Sequence, residues 1–580
     1  MSAFKQKNAI ASTYFNGFGG IDSTAPLGDT ETAYDMVNFR ILADGSLSKR
    51  RGFYTVASCP EPIRAIWSGD LDGEEITLIV YGNTVATVNA EEKTLTTIGQ
   101  VESGEGKALF IFFDANLFLM DKHRFYSVTK SKVSTFDGYA PLYGKDWISA
   151  TRGEMNEPLN LTSRRIRMTY NVTEPIIFLS VDHVVTSIDA VYLNGNLITD
   201  TSKYFFDNDL MCVCVVGLST GDRVELYLTI DSSELDSDLL YSCRQAVVYG
   251  GYTDNRLFLW GGERDDLMYG STSIDKESLE ECKKVYTNTV PIYLPPNAAY
   301  RMGREGRRIT AVCRQYDRLL IFTDGDTWTA YSPSGDAEPL NAFTVNTSSG
   351  CYSDGAALLC ENDPVCVSRG TILRWSAETD ELNECNCYSI SLGIDGRLPQ
   401  SFYKNAVIML DRSRNEILFS DPEDESETLW IYNYRIKKWY RFDGIGAHHL
   451  FMCAGRQGFV KNNSVYLFDD SLGHDVLEDG SERKIVAYYQ THPTDFSVIG
   501  KRKRLCGFTL SAELEGGSIC AEFISDEDTL ERRELSAEST HPNGRTVRLN
   551  SPRFHYLTLR LSSSAEEEQR IYSLGVMVKP

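Results

Sequence analysis

The chain has 580 residues, 42% hydrophobic and 24% charged, which are ordinary globular proportions and exclude a disordered, collagen-like or fibrous polymer. Lys and Arg number 58 against 81 Asp and Glu, a formal net charge of −23 that argues against a protein living by phosphate contacts. Aromatics at 11%, with 31 Tyr and 27 Phe, stand beside 44 Gly, the composition of short strands cut by turns.

The opening, MSAFKQKNAIASTYFNGFGG, has no apolar run after its lysines, so no secretory signal is expected. The longest apolar runs, such as 210–218, are of strand length and far short of the ~20 residues of a membrane helix. Residues 1–58 hold many turn formers and too few strand formers for a repeat. They are expected to help close the fold or to make contacts in a ring. Gly17, Gly19 and Gly20 permit turns closed to other residues, and Asp44-Gly45 suits a tight turn between strands at 38–42 and 47–48. Lys49, Arg50 and Arg51 are candidate contacts to acidic surface on a neighbouring subunit.

From residue 59 a loose repeat begins: an apolar strand, a polar turn, a second apolar strand ending near an aromatic, then a third. Copies start at Ile63, Ala108, Ala246, Ile309, Pro364, Ala406 and His449. Two share a tighter signature, Thr253-Asp254-Asn255-Arg256-Leu257 and Tyr316-Asp317-Arg318-Leu319, each a polar turn feeding an apolar strand. Residues 59–148 and 244–488 together make about seven units of ~45 residues, the size of propeller blades.

The expected fold is therefore all-β: a β-propeller of about seven blades, with a β-sandwich inserted at 149–243 and another at 489–580. The insert carries hairpin signals such as Leu193-Asn194-Gly195. Helical periodicity shows only at 275–284, where one surface helix is expected. Near the C-terminal unit lies the densest basic run, Lys501-Arg502-Lys503-Arg504, read as a solvated loop or a partner contact.

Chemistry-bearing motifs are sparse. Among the 14 cysteines the C-x-C pairs Cys212/Cys214 and Cys385/Cys387 lack a nearby His, and each is expected to line one side of a strand as reduced thiols. His448 and His449 are neighbours in a strand expectation, so they should face opposite ways and not converge on a metal. Residues 323–328, Thr-Asp-Gly-Asp-Thr-Trp, resemble an Asp-box turn without its full spacing. The acidic turns at Asp70–Glu74 and Asp207–Asp209 lack a full set of calcium ligands. With no G-x-S-x-G, H-E-x-x-H or P-loop motif, the expectation is no enzyme, no cofactor and no metal.

The segments Asn16-Gly17-Phe18-Gly19-Gly20-Ile21-Asp22, Ala33-Tyr34-Asp35-Met36-Val37-Asn38-Phe39-Arg40 and Asp44-Gly45-Ser46-Leu47-Ser48-Lys49-Arg50-Arg51-Gly52-Phe53 resemble the opening of bacteriophage tail proteins. That opening runs Gly-Gly-Ile/Leu, a Met-x-Asn-hydrophobic strand, then Asp-Gly-Ser/Ala-Leu-x-Lys-Arg-x-Gly. Residues 255–261, 429–432 and 439–442 look like the same group, whose kind is the propeller-based nozzle, or tail tubular protein B, of short-tailed phages. The resemblance implies a virion protein made in a bacterial cytoplasm. It would form a homo-oligomeric ring, suspected to be a hexamer, beside adaptor and portal proteins. DNA would pass through its channel without specific binding, past a wall holding the excess carboxylates. The alternative expectation is a carbohydrate-binding tail adhesin or propeller glycosidase, marked by an axial site rich in Trp, Tyr and Arg.

Overall fold

The computed structural model describes residues 10–579 apart from 28, 123, 137, 149–151, 175–176, 251–255, 332–339, 377–385, 497–499 and 526–527. Alternating apolar and polar residues between Gly, Asn and Asp turns make the chain nearly all β, in many small sheets. Thr253-Asp254-Asn255 of the tighter repeat signature and Cys385 lie outside the described residues.

Four-stranded antiparallel sheets recur along the chain, opening with the strands Ile63–Leu71, Leu109–Phe113, Gln245–Val248, Ile309–Gln315, Ala357–Cys360 and Val407–Asp411. The last begins at His449–Cys453, continues through Arg456–Lys461 and Ser464–Phe468, and takes its fourth strand, Phe53–Ser58, from the start of the chain. Each opening strand touches the opening strand of the next sheet, and His449–Cys453 returns to Ile63–Leu71, so the succession closes on itself. Between sheets the buried faces interleave: Leu78, Val80, Leu117 and Leu119 share one core, and Phe258, Trp260, Leu319 and Ile321 another. The fifth sheet opens at Ala357, ahead of the Pro364 read from sequence, because the short run Ala357–Cys360 already pairs with Asp363–Ser368.

After the second of these sheets the chain departs into a separate unit. Its five-stranded sheet is built around Arg165–Asn171, Arg223–Ile230 and Val185–Leu193, and a three-stranded sheet centres on Cys212–Val215. Met168, Tyr170, Val191, Val213, Leu226 and Leu228 close one core between the two. Leu142–Ile148 already belongs here, pairing parallel to Arg165–Asn171, so the departure precedes residue 149. The expected helix forms at Lys276–Lys283, capped by Asp275 accepting from the Ser278 amide at 2.8 Å. Its Cys282 packs with Tyr139, Tyr227 and Tyr286, wedging the insert against the ring of sheets.

The C-terminal residues form two further layers. Lys503–Leu514 pairs with Gln569–Lys579 and Arg545–Arg548, while Ser518–Ser525 sits between Asp528–Ser536 and Thr558–Ser563. Phe508 meets Phe523 across the layers with ring centroids 5.2 Å apart.

The first 58 residues stitch these parts together. Ala11–Asn16 pairs with Gln569–Lys579. Ala33–Val37 lies between Lys438–Phe442 of the sixth sheet and Ala487–Thr491 of the C-terminal unit, making one continuous nine-stranded sheet. The hairpin Phe39–Ile41/Leu47–Lys49 adds a C-terminal edge, with Asp44-Gly45 in its turn at a Gly φ of +80°. A segment too poor in strands to be a repeat is the clasp of the whole chain.

Candidate functional sites: the clasp, the basic face and the axial cavity

The clasp buries charge. Arg50 is 2% exposed and grips Asp475 with both terminal nitrogens, Nη1–Oδ1 at 2.7 Å and Nη2–Oδ2 at 2.8 Å. Its Nε donates to Asn38 Oδ1 at 2.8 Å, and its guanidinium stands over the Phe53 and Phe442 rings. Asn38 has φ +57°, a left-handed conformation that Asn tolerates better than most residues. Arg40 lies 3.0 Å from Glu416 and donates to Gln457 at 2.8 Å, in a buried network with Tyr440, whose hydroxyl donates to Glu416. Asp35 is held below the usual carboxylate range against its own burial by Arg441, Tyr488 and Arg397.

Glycines fix the close approaches. A Cβ on Gly19 would stand 1.7 Å from the Glu31 carbonyl oxygen, and one on Gly52 1.8 Å from that of His474. Residues read as a recognisable opening are thus packing and pairing posts.

This placement corrects the subunit-contact reading for part of the first basic run. Lys49 and Arg50 are buried: Lys49 donates to the Ala565 carbonyl, and burial, with Arg50 beside it, pulls its amine down to about 8. Arg51 is partly open and pairs with Glu568 at 2.6 Å. In the second run Lys503 is also buried, donating to the carbonyls of Lys501 and His555, and so is removed from the contact set.

Lys501, Arg502 and Arg504 stay exposed. Arg504 lies directly across from Arg553 on one neighbouring strand and Lys579 on the other, so three exposed cations stand abreast on one sheet face. None of the three has an ion pair among the described residues, and like charges in register are destabilising.

A cavity of about 610 Å³ occupies the place where the opening strands of the ring converge. Its wall comes from residues at or just before those strands: Arg64 and Lys107 from the first two sheets, Gln245 from the third, Asp354 from the fifth, and His448 with His449 from the seventh. His448 and His449 both border this cavity. His448 precedes the strand that begins at His449, and alternation holds only within strands. Burial, reinforced by Lys107 and His448, pushes the His449 imidazole down to about 4.

Thr323-Asp324-Gly325-Asp326 is a hairpin turn in which buried Asp326 accepts from the Trp328 indole at 3.2 Å. Cys212 and Cys214 lie on one side of their strand with sulfurs 3.9 Å apart, and burial raises both thiols, Cys212 to about 12. Asp207 accepts from the amides of Asp209 and Leu210, closing its own turn. Among the described residues no group of three His, Cys, Asp or Glu is placed to hold a metal, and no helix is long and apolar enough to cross a membrane.

No family model matches the chain, and no curated protein matches it. Among solved structures it is similar to one titled "YCF48 bound to D1 peptide", at 8% identity over 71% of this chain and 93% of that one. The TM-score of 0.33 is too low to carry an argument about fold or function.

Proposed function

We propose that this chain is a structural component of a bacteriophage tail, a ring-forming nozzle or hub protein beside the DNA ejection channel, and not an enzyme. The closed succession of sheets is read as a seven-bladed β-propeller, with Phe53–Ser58 sealing the last blade as its fourth strand. The insert and the C-terminal layers are read as β-sandwiches.

The observation that carries the functional reading is the clasp. The residues whose pattern resembles the opening of phage tail proteins are those that lock blades, seam and C-terminal unit into one body: Gly19, Asn38, Arg40, Arg50 and Gly52. A part that must hold pressurised DNA and then let it pass needs such a non-hinging join. Copies in a ring would meet through heterologous contacts, because closure by rotation demands two different faces. The partly open Arg51 and the exposed Lys501, Arg502 and Arg504 remain the contact candidates. A hexamer around a carboxylate-lined lumen, with adaptor and portal proteins above it, would let DNA through without holding it.

The adhesin or glycosidase reading gains nothing from the axial cavity, whose wall, among the described residues, holds no Trp or Tyr and a single carboxylate, Asp354. Sugar recognition leans on aromatic faces, and glycoside hydrolysis on two carboxylates. The test is negative-stain imaging of the purified protein, alone and mixed with a portal–adaptor complex. Closed rings docking on the portal are the expected result. Isolated particles that bind cell-wall glycans and ignore the portal would overturn the reading.

A further inference from the structure

The axial cavity is chemically out of keeping with the rest of the chain. Acids exceed bases by 23 overall, yet this wall gathers an amine, two imidazoles, a guanidinium and a primary amide against one carboxylate. That carboxylate is spoken for, since Asp354 accepts from Arg308 Nη1. Arg64 is also engaged, donating to the carbonyls of Gly106 at 2.7 Å and Gly82 at 2.8 Å and pairing with Asp121.

Lys107 differs from both. It has no hydrogen-bond or ion-pair partner among the described residues, Asp354 acting on it only at longer range. Lys107 is exposed, so its amine is open to a ligand entering the cavity. The Gln245 amide lies over Gly355, where a Cβ would come within 2.5 Å of its nitrogen. Gly104, Gly106 and Gly355 complete a wall that lets a ligand approach the backbone.

We propose that this cavity binds a small oxyanion, a carboxylate or phosphate group, held by Lys107, Gln245, His448 and His449. An unpartnered, exposed amine and two imidazoles bordering one polar cavity can each give a charge-assisted hydrogen bond to an oxyanion that enters it. The volume, about 610 Å³, admits a di- or tricarboxylate or the acidic side chain of an inserted peptide. The inference is independent of ring formation.

A pH signature follows. The groups acting on His449 are Lys107, His448 and the Ile63 backbone, with Arg64, Asp354 and Arg308 at the same mouth, and Lys461 acts on His448. Burial first, and then these cations, lowers the pKa of both imidazoles in the empty site. A bound anion raises the imidazole pKa, so the complex takes up protons and affinity grows as pH falls from 7.5 to 5.5.

The test is calorimetric titration of the full-length protein with citrate, inorganic phosphate and an Asp/Glu-rich peptide at pH 7.5, 6.5 and 5.5. Binding of at least one probe is expected to tighten about tenfold over that range and to weaken about tenfold in Lys107→Gln, with the melting curve unchanged. Surface Lys130→Gln should leave binding as it was. Preference for the peptide would identify a partner's acidic side chain as the source, and preference for citrate or phosphate a free anion. No binding by any probe, or wild-type affinity in Lys107→Gln, would overturn the proposal. Full pH dependence surviving in His448→Asn/His449→Asn would overturn the part given to the imidazoles.

Discussion

Lys49-Arg50-Arg51 and Lys501-Arg502-Lys503-Arg504 look alike as sequence and meet opposite fates. In the first run Lys49 and Arg50 are folded inward, where Asp475, Asn38 and carbonyl oxygens receive them, and Arg51 stays partly open. In the second, Lys503 is buried, but Lys501, Arg502 and Arg504 face outward, and Arg504 is met by Arg553 and Lys579 instead of carboxylates. The difference teaches that a basic run has no intrinsic role: what the fold sets opposite each cation decides whether it is mortar or surface. Desolvating Arg50 is tolerable only because its pairing is bidentate and its other donor is satisfied. Arg504 stays hydrated, and its like-charged neighbours cost a little stability.

The largest effect that would break this comparison is expected at Arg50. Arg50→Met strands the buried Asp475 with Arg483 alone and should cost about 3–5 kcal/mol in urea denaturation, while Arg504→Met should stay within about 0.5 kcal/mol. Arg50→Lys should recover only part, lacking the planar fork. Equal losses at both positions would erase the distinction.

Next comes the backbone of the clasp. Gly52→Ala drives a methyl into the His474 carbonyl and should cost about 1–3 kcal/mol, whereas Gly396→Ala, with open space around its Cβ, should be close to neutral by the same assay.

A pH titration sharpens the contrast further. Lys49 gives up its proton near pH 8 in the folded chain but only near 10.5 when unfolded, so the unfolded state holds more protons between these values. Stability should therefore rise from pH 8 to 10.5, by about 3 kcal/mol, and Lys49→Met should abolish that rise. His449 acts at the acid end. With its folded pKa near 4 against 6.5 unfolded, it contributes stability that is lost as pH falls from 6.5 to 4, a loss His449→Asn should reduce.

The smallest expected effect is a gain. Lys579→Glu places an opposite charge across from Arg504 and should stabilise the fold by about 0.2–1 kcal/mol in thermal melts.

Local chemistry was legible in the sequence. Alternation and turn residues announced the strands, the stretch 275–284 announced a surface helix, and Asp44-Gly45 announced its hairpin. What was not legible depends on partners far away in the chain. Nothing near Phe53–Ser58 says that it completes a sheet with Ser464–Phe468, because an edge strand carries the same alternation wherever it docks. Nothing near Lys49 or Arg50 names Ala565 or Asp475. The axial cavity was invisible for the same reason: Lys107, Gln245 and His449 converge only because each stands at the start of an opening strand. A signal was present in that shared position, since several repeats have a polar residue just before or at their first apolar run.

The account rests on this chain being a rigid part of a larger ring. The most direct measurement is the absolute mass of the full-length protein in solution by light scattering, over a range of concentration and with the portal–adaptor complex added. The account predicts a closed oligomer of fixed copy number that joins the portal. A single-chain mass at every concentration, with or without the portal, would contradict it.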